Sequence, residues 1–170
     1  MTNEALHAFC DWLSQTPISQ SIQNITWIIP IVQSIHIAFI SIVIGAAGMA
    51  NLRVLGIGMR SQSTSTLINR LFPFVWWSLP FLLVTGIILI IGEPVRSLEN
   101  ITFQIKMILL ILGIAATWTF QSSLKKDQAF WEMSPQRRTT AKLLALLSLA
   151  IWIGIIFAGR YIAYTITDYD

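Results

Sequence analysis

Charge is what this chain has least of. Charged residues make up 11% of its 170 positions, against about 25% in soluble domains. A soluble domain of this size needs charge to cover its surface, so that class is excluded. Histidine is nearly absent too: His7 and His36 are the only two, and they lie far apart, so no His/Cys set has metal-ligand spacing. The single cysteine, Cys10, cannot form an internal disulfide. It reads as a filler of an apolar helix face, with a free thiol or an intermolecular bridge as the open alternatives. No nucleophile is paired with a base, no glycine-rich loop could cradle phosphate, and no two carboxylates are set for acid–base work. No basic stripe with interleaved aromatics offers a surface to nucleic acid. Residues 1–24 carry Glu4 and Asp11 but no basic leader, so no cleavable signal is expected there.

What the chain has is grease, in four blocks. Hydrophobic residues make up 55%, and they concentrate in runs at residues 25–50, 71–92, 101–121 and 141–162. Each reaches or passes the roughly 20 residues that cross about 30 Å of hydrocarbon. Inside lipid every backbone N–H and C=O needs an internal partner, so runs of this length must be helices. The expected fold is an all-α membrane protein, an up-down antiparallel bundle of four transmembrane helices over residues 25–164. Residues 1–24 form a preceding amphipathic segment. There Leu6, Phe9 and Leu13 share a helical spacing, which predicts a short interfacial helix ended by Pro17. Residues 165–170 are an acidic tail.

Orientation follows from the basic residues. Arg53, Arg60, Arg70, Lys125, Lys126, Arg137, Arg138 and Lys142 fall in or beside the first and third loops. Arg96 and Arg160 lie on the other side. Positive residues are retained in the cytoplasm, so both termini and the Glu93–Asn100 loop should face outward. Membrane lipids are then the first partners expected. Helix packing in lipid relies on small residues, and Ser41, Gly45 and Gly48 line one arc of the first span. Thr85 in the second span, and Gly113 with Thr117 in the third, extend the expected packing stripe. Pro30 and Pro80 are placed to kink the first two helices.

The polar intrusions carry what chemistry there is. His36 lies within the first span with Gln33 one turn before it. A neutral histidine bonded to a neighbouring helix is the plain reading, and a ligand or proton site the functional one, since ionisable groups in membranes are costly. Lys106 enters the third span and could carry its ammonium up to the interface on its long stem. Gly113, Thr117 and Gln121 follow it on one face, which turns that face toward the bundle. Arg160 closes the fourth span as an anchor. If His36, Lys106 and Arg160 turn inward together, they make an electropositive pocket for an anionic headgroup, a heme propionate or a quinone oxygen.

A further set of residues points to kinship. Trp12-Leu13, Thr16-Pro17, Trp27 with Pro30, and Ser34-Ile35-His36-Ile37 open the chain. Leu52-Arg53-Val54-Leu55-Gly56, Thr85-Gly86, Lys106-Met107 and Gly159-Arg160-Tyr161-Ile162-Ala163-Tyr164 follow. In these the chain resembles an uncharacterised bacterial family of four-helix inner-membrane proteins. The resemblance covers nearly the whole length and implies a membrane location, without an activity. Members of that type tend to carry a histidine at the end of the third span, where this chain has Phe120-Gln121. A two-histidine heme site is thereby weakened.

Three functions fit these features. The leading one is a non-catalytic membrane component, acting as a subunit, assembly factor or lipid- or ligand-binding module alongside a membrane partner or further copies of itself. The second is a redox module with heme b or quinone, in which His36 would be the metal ligand if heme is bound. The third is an oligomeric transporter or channel.

Overall fold

The computed structural model describes residues 2–57, 63–126 and 134–162. Among them there are seven helices: α1 (Thr2–Ser14), α2 (Pro17–Asn24), α3 (Ile28–Leu55), α4 (Thr64–Gly92), α5 (Pro94–Leu98), α6 (Ile101–Lys126) and α7 (Pro135–Tyr161). Four of these, α3, α4, α6 and α7, are long and apolar enough to cross a membrane. Their apolar centres match the four hydropathic runs. Their ends at the first and third loops run further than the runs do, because polar residues continue a helix once it leaves lipid. Ser63 caps α4 by accepting from the Thr66 N–H at 3.2 Å, and Ser134 caps α7 by accepting from Arg137 at 3.3 Å. Pro135 sits at the first position of α7, where a missing N–H costs nothing. Gly56 ends α3 in the left-handed region at φ 85°, a conformation that glycine adopts without steric cost.

The prolines behave differently from one another. Pro30 lies in the first turn of α3, where no intrahelical donor is lost, so it does not break the helix. Pro73 and Pro80 lie inside α4, which continues through both. The N-terminal helix α1 ends at Ser14, ahead of Pro17, and Pro17 begins α2. Thr16 caps that second short helix by accepting from the Ser19 N–H at 3.4 Å.

Within the bundle α3 packs on α4 and α7, α6 packs on α7, and α4 meets α6 only sparsely. The helices α3 and α6 therefore stand at opposite corners. Two buried clusters fill the interior. One joins Val43, Ala46 and Ala47 of α3 with Val75 of α4 and Ile151, Trp152 and Ile155 of α7. The other joins Ala50, Ile68, Phe72, Phe120, Ala141 and Ala145. The second lies toward the end of the bundle that carries the first and third loops, and the first lies near the middle of the spans. Toward the other end the packing thins: from residue 28 to 42 α3 has no buried residue, and from 101 to 112 α6 has none.

The face of α3 is a correction to the expected packing. Ser34 and Ser41 are exposed, and their hydroxyls bond back to Pro30 and Ile37 carbonyls of their own helix. A methyl group added at Gly45 or Gly48 would meet nothing within 4 Å. The face that packs is the alanine face, Ala46, Ala47 and Ala50, turned by about 100° per residue from the glycines. Thr85 and Thr117 are buried, and Gly113 lies against Trp152.

The short helices α1, α2 and α5 gather at the thinly packed end. Ser19 of α2 is fully buried and donates to the Ile91 carbonyl at 2.6 Å, and Gln23 donates to Ser19 at 2.8 Å. Gly92 is the point of closest approach: a β-carbon there would lie 3.0 Å from Ile22 and 3.2 Å from Ile29. Phe9, Trp12 and Ile18 are left exposed. The acidic tail at 165–170, Arg60, Tyr164 and the side chains of Lys125 and Lys126 lie outside the described residues.

Candidate functional site

His36 is set into the α3–α4 groove. Its Nδ1 lies 2.7 Å from the Thr85 hydroxyl. That hydroxyl has one proton, and the Phe81 carbonyl sits 2.6 Å away to receive it. The Thr85 oxygen is then the acceptor, so the His36 ring donates from Nδ1–H. A neutral imidazole that donates at one nitrogen presents a lone pair at the other. His36 Nε2 is therefore an open acceptor. The ring lies over Gly86, where an added β-carbon would come within 3.6 Å of Cε1. Beside it Phe39 and Phe81 stack in parallel with centroids 4.6 Å apart. Gln33, one turn earlier, is exposed and does not join His36.

Lys106 stands on α6, five residues after Ile101, or about 8 Å along the axis at ~1.5 Å per residue. It is partly buried. Its stem runs along α7 beside Gly159, whose β-carbon position is 3.6 Å from Nζ. The ammonium lies within electrostatic range of the His36 ring. No hydrogen bond or ion pair holds it among the described residues. Arg160 is exposed, one residue beyond Gly159, at the rim.

Two other polar pairs are closed, while the buried Trp152 Nε1 has no hydrogen-bond partner among the described residues. Asn51 and Ser148, both buried, join α3 to α7 through an amide-to-hydroxyl bond of 3.0 Å. Trp76 donates to Gln121 at 2.6 Å, so the residue that stands in the place of a third-span histidine is already engaged. Thr117 donates back to Gly113 at 2.9 Å. Sequence reasoning missed Asn51. Its signal was available: an amide just inside the charged end of an apolar run, one turn beyond Ala47.

Above the site, α1 is fastened to the α5 region. His7 Nδ1 lies 2.8 Å from Glu99 and its Nε2 lies 3.6 Å from Asp11. The Glu99 hydrogen bond first, and the Asp11 and Glu99 charges after it, hold the His7 imidazole above its ordinary range. Cys10 is buried against the Pro94 carbonyl, 3.8 Å away. Burial, and then Glu99, push its thiol up. A cleft of about 440 Å³ runs beside this cap, lined by Ser14, Gln23, Ile29, Gly92 and Arg96 among others. Among the described residues His, Cys, Asp and Glu form no group of three able to hold a metal ion.

Four long apolar helices with ionisable groups held among them define a multi-pass integral membrane protein. No curated protein and no solved structure matches the chain significantly. Residues 21–165 match a family of unknown function, DUF6644, and the chain belongs to that family.

Proposed function

We propose that this protein is a small non-catalytic binding module of the bacterial inner membrane, holding a ligand between His36 and Lys106. The observation that carries this reading is an unmatched pair. His36 Nε2 and Lys106 Nζ have no hydrogen-bond partner among the described residues, and both side chains stand partly buried beside the thinly packed first turns of α3 and α6. Polar groups inside membrane spans are costly, and Asn51 and Ser148 meet that cost by pairing. An acceptor at Nε2 and a cation at Nζ are together the contacts that a small polar ligand needs.

The arrangement around the site is an up-down antiparallel bundle. Contacts of Ile29 with Gly92 and of His36 with Thr85 support opposite directions for α3 and α4. Lys106 beside Gly159 and Gly113 beside Trp152 support the same for α6 and α7. The excess of Arg and Lys at the first and third loops supports outward termini. His36 and Lys106 then lie in the outer half of the membrane, under the cap of α1, α2 and α5.

Mass spectrometry of small molecules extracted from the purified protein tests this. The wild-type chain should retain a component that both His36→Ala and Lys106→Ala lose. Identical extracts from all three would overturn the reading. A second reading rests on the open Nε2 alone: a redox module in which His36 ligates heme b or meets a quinone. Donation from Nδ1 to a neighbour is the usual setting of an iron-ligating histidine. A Soret band lost in His36→Ala would establish it, and a spectrum without one would remove its heme form.

A further inference from the structure

We infer that the aromatic face of α1 is a docking surface for the neutral lipid interface at the cap end of the bundle, with Phe9 and Trp12 as its anchors. This goes beyond the ligand reading above and stands on different residues.

The helix is joined to the protein by its polar side. At about 100° per residue, His7, Cys10 and Asp11 share one side of α1, and Ala5, Phe9 and Trp12 share the other. The first side meets α5 and the turn after it. His7 Nδ1 lies 2.8 Å from Glu99, and Cys10 is buried against the Pro94 carbonyl. The second side stays open, with Phe9 48% and Trp12 62% exposed. Their ring centroids lie 5.8 Å apart, so the two make one continuous apolar patch. A surface helix of a soluble protein does the reverse, burying its apolar stripe and showing its polar one.

The level of α1 says what covers this patch. Ser19, just beyond α1, donates to the Ile91 carbonyl at 2.6 Å, Cys10 touches Pro94, and His7 touches Glu99. The apolar run of α4 ends at residue 92 and that of α6 begins at 101. Each of the three contacts therefore falls beside the end of a run, and α1 lies along the hydrocarbon boundary. Trp27 marks the same level from α3: it is exposed at the helix cap, two residues before Ile29, which abuts Gly92. From there exposed Ile31 and Ile35 continue down the lipid-facing side of α3. Tryptophan favours this depth, and interfacial helices sink their apolar face ~5–10 Å into it.

Charge selects the lipid. Residues 2–24 hold no lysine or arginine, while Glu4 and Asp11 stand exposed. Attraction to anionic headgroups needs basic side chains near the surface, so apolar area alone holds this face down. A zwitterionic interface is its match.

Photo-crosslinking of the full chain in dioleoyl phosphatidylcholine vesicles tests this. The variants are Phe9→benzoylphenylalanine, Trp12→benzoylphenylalanine and, on the polar side, Glu4→benzoylphenylalanine. Mass spectrometry should find lipid adducts at positions 9 and 12 about tenfold above those at position 4. Equal adducts at all three positions would overturn the inference. So would chain-to-chain crosslinks at 9 or 12, or rings there that meet only water. Replacing half of the phosphatidylcholine by phosphatidylglycerol should leave the yield unchanged, and a yield that rises with phosphatidylglycerol would overturn the neutral-lipid assignment. Trp12→Ser gives a test without a crosslinker. Hydrogen exchange of α1 in the same vesicles should quicken about tenfold, with α7 unchanged as a check on the fold. Exchange unaltered in both Trp12→Ser and Phe9→Ser would remove the anchoring role.

Discussion

The loop-bearing half of the bundle and the half beneath the N-terminal cap are built from the same kinds of residue and end in opposite states. In the former, Ala50, Ile68, Phe72, Phe120, Ala141 and Ala145 close the interior, and two polar pairs join helices: Asn51 with Ser148, Trp76 with Gln121. In the latter, α3 and α6 bury nothing over their first turns, and His36 and Lys106 stand only partly buried. Polar groups placed in lipid are costly in both. Where they are paired they join helices; where they are left open they are available to something else. The comparison separates structure from function within one small fold.

The sharpest way to break that contrast is to hollow out the packed half. Phe72→Ala removes a ring that is 4% exposed in the second cluster and should cost about 3 kcal/mol, mostly as cavity, since lipid tails supply no hydrophobic drive between helices. Steric-trap unfolding in bicelles would measure it, and an equal loss for the exposed Phe74→Ala would contradict the packing described. Crowding the junction of bundle and cap comes next. Gly92→Ala would put a methyl group 3.0 Å from Ile22, and overpacking of this kind costs about 1–2 kcal/mol. The effect should show as faster hydrogen exchange in α2, with α7 unchanged.

A smaller effect distinguishes the two polar pairs. Asn51→Leu breaks a buried bond between α3 and α7, worth about 0.6 kcal/mol by analogy with other membrane helices. It should lower stability and leave ligand retention alone. Thr85→Val should do the reverse, with little loss of stability and a clear loss of retention. If both variants behave alike, the two halves are not functionally distinct.

The smallest effect concerns the cap and has a defined sign. The folded-state pKa of His7 is raised, so the stabilisation from Glu99 and Asp11 is fully present below its ordinary value near 6.5 and fades as pH rises through the higher folded value. Hydrogen exchange of α1 should therefore quicken above that range. His7→Gln should flatten the dependence, and a protein whose α1 exchange showed no pH trend beyond intrinsic chemistry would remove the fastening role.

Much of the fold was legible because hydropathy over twenty residues is a strong signal, and α3, α4, α6 and α7 follow it. The ends were not, since Ser63, Ser134 and Gly56 act through caps that hydropathy does not weigh. The rotation of α3 was illegible for another reason. Glycines, serines and alanines alternate around that helix, and a small residue on the open face looks in sequence like one on the packed face. Only the partner helices choose between them. His36 and Lys106 stood out as ionisable groups inside apolar runs, whereas the role of Thr85 as the anchor of His36 needed the register of α3 against α4. Arg160 read as part of the same cluster by its level alone, and the exposed side of α7 on which it lies could be found only from the packing of α7.

Cys10 has one more consequence. Because the chain holds a single sulfhydryl, sealed beneath α5, any thiol reagent that modifies the native protein reports the moment the first helix lifts away. The molecule thus carries its own clock for the opening of its helical cap, readable in intact membranes.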